Sequence, residues 1–359
     1  MGLLMFFSMI LLSGSFANAE EILPSPQVRG WAQGWFTAYD MDESEMADPA
    51  GYGDPEDDIG FKIRRARLSF SGVNKSFMYN ISAGTSAPFD SMFQRGSVNL
   101  DLVDASLGVH LGKQLWIHTG IQKVPVSREQ IMSSSQLVFT ERAVSSVWLA
   151  PDREVGVLVD YLLKKGNSKI RSRAGVFNGN GSLLGDNNTG KMVAGRIDYV
   201  FGPANPYRTF GPEKRLTIGV SGDFFLNNDV ATKVIGYGGD FILRANDLSI
   251  LAEYRMSSLA PYNTDIDDPG VLAETSRMGF LAQVGYTVLN AYELAVRYSG
   301  FDDNQEIENT GDVAELMAGV TWHHPSDAIR VGGGYALRLE NGPTAVQNDT
   351  ARLWTQFKF

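Results

Sequence analysis

The chain has 359 residues, with 31 basic against 41 acidic side chains, a net charge of -10, 38 glycines and no cysteine. That balance argues against a nucleic-acid partner, which favours a basic surface, and the missing cysteines exclude a disulfide framework or a thiolate metal site. Beyond Ala19 no stretch is long and apolar enough to make a transmembrane helix of ~20 residues.

The chain opens MGLLMFFSMILLSGSFANAE. An apolar run from Leu3 to Leu12, small residues, and Ala17-Asn18-Ala19 as an A-x-A cleavage site read as an export signal over residues 1 to 19, with the mature chain starting near Glu20. No Lys or Arg precedes the run, and the run is too short for a single anchor helix. Between Asp40 and Asp58 follow nine acids and no base. This segment reads as a solvated surface or a place for divalent cations near lipopolysaccharide; it lacks the spacing of an EF-hand loop.

From there onward apolar and polar residues alternate with period two. The pattern gives roughly sixteen strands, near residues 28–39, 61–73, 77–85, 98–111, 115–123, 154–163, 168–178, 191–201, 216–226, 232–243, 248–257, 276–287, 291–301, 313–323, 328–339 and 350–359. The cleanest has Tyr292, Leu294, Val296 and Tyr298 opposing Glu293, Ala295, Arg297 and Ser299. Apolar faces begin or finish in aromatics, as where a girdle meets the membrane interfaces. Short connections such as Asn74-Lys75-Ser76 alternate with long ones such as Met41 to Gly60 and Pro261 to Thr275. A soluble sandwich also alternates, but its outer face mixes Lys, Thr, Ser and Glu, whereas the polar face here is rich in Arg, Gly and acids. A charge facing lipid at mid-membrane costs ~2–4 kcal/mol, so the charged face must be the inside. The reading is an all-β protein, a transmembrane antiparallel β-barrel of the bacterial outer membrane, with residues 20–359 as one domain. The closing TARLWTQFKF puts Leu353, Thr355, Phe357 and Phe359 on one face, and Arg352, Trp354, Gln356 and Lys358 on the other. Closing the barrel requires this strand to be ordered to its end.

One segment breaks the alternation. The segment after Pro125 is too long for a turn, yet Ile131, Leu137, Val138, Phe139, Val147 and Leu149 are too apolar for a loop in water. Such a segment should fold into the barrel and pack on its wall.

Several stretches together resemble the phosphate-selective porin O and P family: FKIRRARLSFSG (Phe61 to Gly72), GIQKVP (Gly120 to Pro125), SSSQLVFTERAV (Ser133 to Val144), PDREVGV (Pro151 to Val157), GVFNGNG (Gly175 to Gly181) and LWTQFKF. The resemblance implies a trimeric sixteen-stranded channel whose third external loop, Ser127 to Asp152, narrows the lumen, and a final Phe used in outer-membrane insertion. It implies passage of phosphate or other small anions along Arg and Lys side chains, without catalysis, cofactor or metal. Arg suits that task because its planar fork binds phosphate oxygens in pairs and stays charged. By strand parity the candidates are Arg65, Arg67, Arg171, Arg173, Arg196, Arg255, Arg297, Arg330, Arg338 and Arg352; Lys123, Arg128 and Arg142 come from the loop and its approach. Lys62 and Arg64 have the opposite parity and are placed at the outer rim, near lipopolysaccharide phosphates or solvent.

The same residues allow a blander pore. Glu154, Asp160, Asp198, Glu253, Glu293 and Glu315 share the inner face with the arginines, and Glu129 and Glu141 adjoin Arg128 and Arg142, so the loop is nearly neutral by count. The bases would then merely pair with acids in a general channel, open to cations or neutral solutes. A barrel-borne enzyme would draw on His110, His118, His323 or His324, none in a local pattern with a nucleophile. A plugged structural barrel is the remaining rival.

Overall fold

The computed structural model describes residues 24–39, 59–86, 100–112, 114–181, 185–186, 189–211, 213–228, 232–261, 274–308, 312–340 and 349–359. The export-signal reading, the acidic segment 40–58 and most of the long connection after Pro261 lie outside them. Sixteen strands follow in chain order: β1 (Gln27–Tyr39), β2 (Ile59–Val73), β3 (Phe77–Ser86), β4 (Asp101–His110), β5 (Leu115–Lys123), β6 (Arg153–Lys165), β7 (Ser168–Phe177), β8 (Met192–Phe201), β9 (Glu213–Asn228), β10 (Thr232–Asn246), β11 (Leu248–Pro261), β12 (Thr275–Val288), β13 (Tyr292–Asp302), β14 (Val313–His323), β15 (Ile329–Glu340) and β16 (Thr350–Lys358). Each pairs antiparallel with its neighbours in sequence, and β1 pairs with β16, so the sheet closes. Closure removes the edge whose unpaired amides would each cost several kcal/mol in lipid. No helix among the described residues is long and apolar enough to cross a membrane, and strands make the crossing.

Alternation decides which side is which. On β13, Tyr292, Leu294, Val296 and Tyr298 are exposed outward, while Glu293, Arg297 and Ser299 are buried inward. On β16, Leu353, Phe357 and Phe359 face out, and Arg352, Trp354 and Gln356 face in. Strand order reaches the last residue: Gly30 N–H donates to the Phe359 carbonyl at 2.9 Å and Phe359 N–H returns the bond to Gly30 at 2.9 Å. Glycines on the inner wall make room for large neighbours. A Cβ at Gly332 would collide with the indole of Trp354, its partner across the β15–β16 pair.

Three register slips interrupt this regularity among the described residues, one between β9 and β10 at Arg244 to Asn246 and two beside the lumen's β2–β4 wall. Gln33 pairs with Arg65 but Gly34 pairs with Ile63, which leaves Arg64 as an extra residue in β2. Ser82 pairs with Asp104 but Ala83 with Leu102, which leaves Val103 extra in β4. A bulge of this kind re-aims side chains. Phe61 and Ile63 face out, Lys62 is half-buried, Arg64 is buried, and Arg65 and Arg67 are half-buried beyond the slip. Strict parity therefore misplaces Arg64 and Lys62: the bulge turns Arg64 into the lumen beside Arg65 instead of to the outer rim.

Candidate functional site: the constriction of the barrel

The constriction loop runs from Val124 to Asp152, within the barrel. It holds two short helices, Arg128–Ile131 and Val144–Leu149, and a 3-10 turn at Ser134–Gln136. Its apolar side chains anchor it in successive patches around the wall. Val124 and Val126 pack with Leu158, Phe177, Ala194 and Phe225; Met132, Leu137 and Ala143 with Ile242, Leu251 and Leu281; Val138 and Phe139 with Ala295, Met317 and Ala336; Val144 and Leu149 with Phe301. Leu137, Val138, Phe139 and Leu149 are buried as their apolarity implies, whereas Val147 stays exposed.

Polar braces complete the anchoring, because loop amides and carbonyls shut away from water need partners. Lys123 Nζ donates to the carbonyls of Gln130 (2.7 Å), Ile131 (3.2 Å) and Met132 (2.6 Å). Glu253 accepts from Ser127 Oγ at 2.7 Å and from the Glu129 amide at 2.6 Å. Arg128 is wholly buried, its Nε 2.6 Å from Asp240 and its guanidinium over the Tyr207 ring at 5.3 Å. Arg297 reaches Glu315 at 2.8 Å and the Glu141 carbonyl at 2.8 Å, and Arg330 donates to the Leu137 carbonyl at 3.0 Å.

The loop thus leans on the wall from β6 round to β16, and its free flank faces β2 to β4. There a cavity of about 210 Å³ is lined by Arg64, Arg65, Arg67, Arg142 and Arg153, with Asp101 and Asp152 the acids on its wall. Both bulged residues, Arg64 and Val103, open onto it. Glu141 at the loop tip bridges the gap, accepting from Arg64 Nε at 2.8 Å and Arg65 Nη2 at 2.9 Å. Burial by itself would raise the Glu141 pKa, but the guanidiniums of Arg64, Arg65 and Arg352 outweigh it and hold the carboxyl well below the usual range. Arg67 forms no ion pair among the described residues, and its guanidinium lies over Trp31 at 5.6 Å. Toward the short-turn end a second cavity, about 480 Å³, is lined by Met78, His110, Trp116, His118, Asp160, Lys164 and Arg171.

The thirteen candidates divide by position. Arg65, Arg67 and Arg142 surround the narrow cavity, and Arg171, paired to Asp160, borders the wider one. Lys123, Arg128, Arg297 and Arg330 brace the loop. Arg173, Arg196 and Arg255 form a buried network with Asp198 and Asp223, with Arg173 and Arg196 on Asp198 at 2.9 Å each and Arg255 on Asp223 at 2.6 Å. Arg338 donates to Thr350 Oγ1 at 2.7 Å, and Arg352 stacks on Trp35 at 3.9 Å. On the β7–β11 side, then, bases do pair with acids, and Arg128, Arg196 and Arg255 are too enclosed to meet a solute. The histidines fill structural contacts. His110 and His118 stack on Trp116, His323 stacks on Phe210, and His324 Nδ1 contacts Ser326 Oγ inside a tight turn.

Sequence reasoning missed two parts of this site. Arg64 and Arg153 escaped because a bulge and a strand start hide parity; the signal for Arg64 was the adjacent pair Arg64-Arg65, which cannot alternate. The connection from Gly202 to Gly211 carries no pattern that marks it as part of the site, yet Thr209 and Phe210 are buried.

A closed sixteen-strand barrel with an apolar exterior and a polar interior narrowed by an inward loop is a porin channel of the bacterial outer membrane. The resemblance read from the motifs holds: residues 40–216 match the family described as phosphate-selective porin O and P. No curated protein matches the chain. Among solved structures it is similar to an anion-selective porin from Comamonas acidovorans (11% identity, 93% of this chain and 99% of that one, TM-score 0.63). It is similar also to Salmonella typhi OmpF in complex with daunomycin (13%, 94% and 98%, 0.61) and to the trimer form of OmpT, an outer membrane protein of Vibrio cholerae (13%, 93% and 99%, 0.57). Identities this low speak for the fold.

Proposed function

We propose that this porin passes small anions, phosphate included, by passive diffusion, and that it works as a homotrimer in contact with outer-membrane lipid and lipopolysaccharide. The observation that carries the reading is the narrow cavity with five arginines and two aspartates on its wall. Where water is confined, a wall charge acts on an ion at about 4 Å, and the interaction grows as the local dielectric falls below that of bulk water. Charges on outer loops are screened beyond ~8–10 Å, so the overall acidity matters less than the constriction. Arg142 on the loop and Arg65 and Arg67 on β2 can offer N–H groups in sequence, so an anion trades hydration for guanidinium contacts and moves on because no single contact is deep. The likeness to an anion-selective porin from Comamonas acidovorans and to the trimer form of OmpT supports the same reading.

A second reading rests on the acids beside those bases: Asp101 and Asp152 line the cavity, and Glu141 neutralises part of it. A pore so balanced would pass cations or neutral solutes as well. Single-channel recording in a planar bilayer separates the two. The anion reading expects a reversal potential of anion-preferring sign under a salt gradient and a chloride current reduced by added phosphate. Cation preference or none leaves the porin and removes phosphate, and no current from folded protein removes the channel.

A further inference from the structure

The connection between β8 and β9 is unlike the others on its rim. That rim carries the short turns, Asn74–Ser76, Gly166–Asn167 and the single residue Asp247, and is the periplasmic one by the usual asymmetry of these barrels. Residues 202–211 instead climb into the lumen. Pro203 and Asn205 remain exposed, while Thr209 and Phe210 are buried, Phe210 completely.

We infer that this turn is a second constricting segment, entering from the periplasmic side, which backs the constriction loop and confines the ion path to the β2–β7 side of the lumen, with Tyr207 and Phe210 as its specificity-determining residues. The inference rests on the channel reading above. Its backbone is satisfied as a buried segment must be: Arg244 Nη2 donates to the carbonyls of Phe210 (3.0 Å) and Gly211 (2.8 Å), Ser249 Oγ to the Thr209 carbonyl (3.0 Å), and the Gly211 amide to Glu293 (3.1 Å). It also touches the constriction loop directly. The Val138 amide donates to Thr209 Oγ1 at 3.2 Å, and Arg128 Nη1 to the Pro206 carbonyl at 3.1 Å. The Phe210 ring carries Arg330 at 3.9 Å and Arg208 at 4.3 Å, and the Tyr207 hydroxyl joins Arg173 and Asp198.

These partners sit on β7, β8, β10, β11, β13 and β15, so turn and loop together occupy the sector from β8 to β15. The arginine cavity and the wider one below it are both lined from β2 to β7 and the loop. An ion that follows them passes Arg65, Arg67 and Arg142. Behind the turn the charges are mixed and largely paired, Asp198 with Arg173 and Asp240 with Arg128, and Glu293 lies near Arg244 and Arg330, so a path there would select less by sign than one along the arginine cavity.

The test compares the full protein with Tyr207→Ala and Phe210→Ala in planar bilayers. Opening the closed sector should raise unit conductance by about twofold or more and reduce the anion preference, since a neutral path now runs beside the basic one. Unchanged conductance and reversal potential in both folded variants would overturn the inference while leaving the channel. Because truncation could stop folding, thiol accessibility gives a second readout in a chain with no native cysteine. Asn205→Cys should react quickly with a membrane-impermeant maleimide and Thr209→Cys slowly. Equal rates in folded protein would overturn it too. Absence of current from the unaltered protein would overturn the channel reading and this inference with it.

Discussion

Glu141→Gln separates the charge of the constriction from its shape. Glu141 is held by Arg64 and Arg65 at 2.8 and 2.9 Å, with all three side chains largely out of water. The amide keeps the volume and one acceptor but frees about one positive charge on the cavity wall. An anion about 4 Å from that charge gains about 1 kcal/mol at the dielectric of water and up to ~4 kcal/mol at an effective value of 20. In a wet pore the lower figure applies, a factor of about 5 in permeability ratio. Arg65 keeps a bond to the Thr140 carbonyl at 2.9 Å, so the loop tip stays docked and unit conductance changes less than selectivity. Reversal potential under a salt gradient is the assay, with phosphate block as a second reading. Adding Arg64→Gln should cancel the gain, closing a double-mutant cycle. An unshifted reversal potential in folded Glu141→Gln would refute the assignment of this cavity as the selectivity filter.

Acid titration tests the same group from its protonation. Its folded pKa is depressed, so its contribution to stability is full above the unfolded carboxylate value of about 4.3 and is lost only as pH falls through the lower folded value; loop docking and selectivity should hold from neutral pH to about that value, and an altered reversal potential near pH 5 that is absent in Glu141→Gln would contradict the pairing. Arg128→Met should cost about 3 kcal/mol, because buried Asp240 loses one of its two guanidinium partners and keeps only Arg196 at 2.6 Å, measured as a lower unfolding midpoint in detergent, with noisier currents from a loosened loop. Gly120→Val should impair folding, since Gly120 has φ +110 and a Cβ there would run into the Ala105 carbonyl; a heat-stable folded variant would contradict this. On the lipid face, Val296→Arg should destabilise by ~2–4 kcal/mol, whereas conductance of the folded fraction stays unchanged because the side chain points away from the lumen.

Much of the barrel was written in local pattern. Period-two alternation places lipid and water on opposite sides of every strand, and the cost of a charge in hydrocarbon leaves one orientation, so roughly sixteen strands, closure through Phe359 and a packed apolar segment after Pro125 could be read from residues alone, while the bounds of the inward loop came with the family resemblance. What alternation could not supply is any fact in which distant segments meet. Whether Arg64 faces in depends on one extra residue against Gln33 and Gly34 of another strand. Arg142 and Arg128 stand in the same loop with similar neighbours, yet Arg128 is sealed beside Asp240 of β10 and Arg142 borders the opening. The turn at 202–211 reads as an ordinary polar connection until Arg244, Ser249 and Glu293 are seen to hold it. Secondary structure follows from a chain's own periodicity, but charge compensation is a matter of distance in space, and only the closed barrel brings those partners within it.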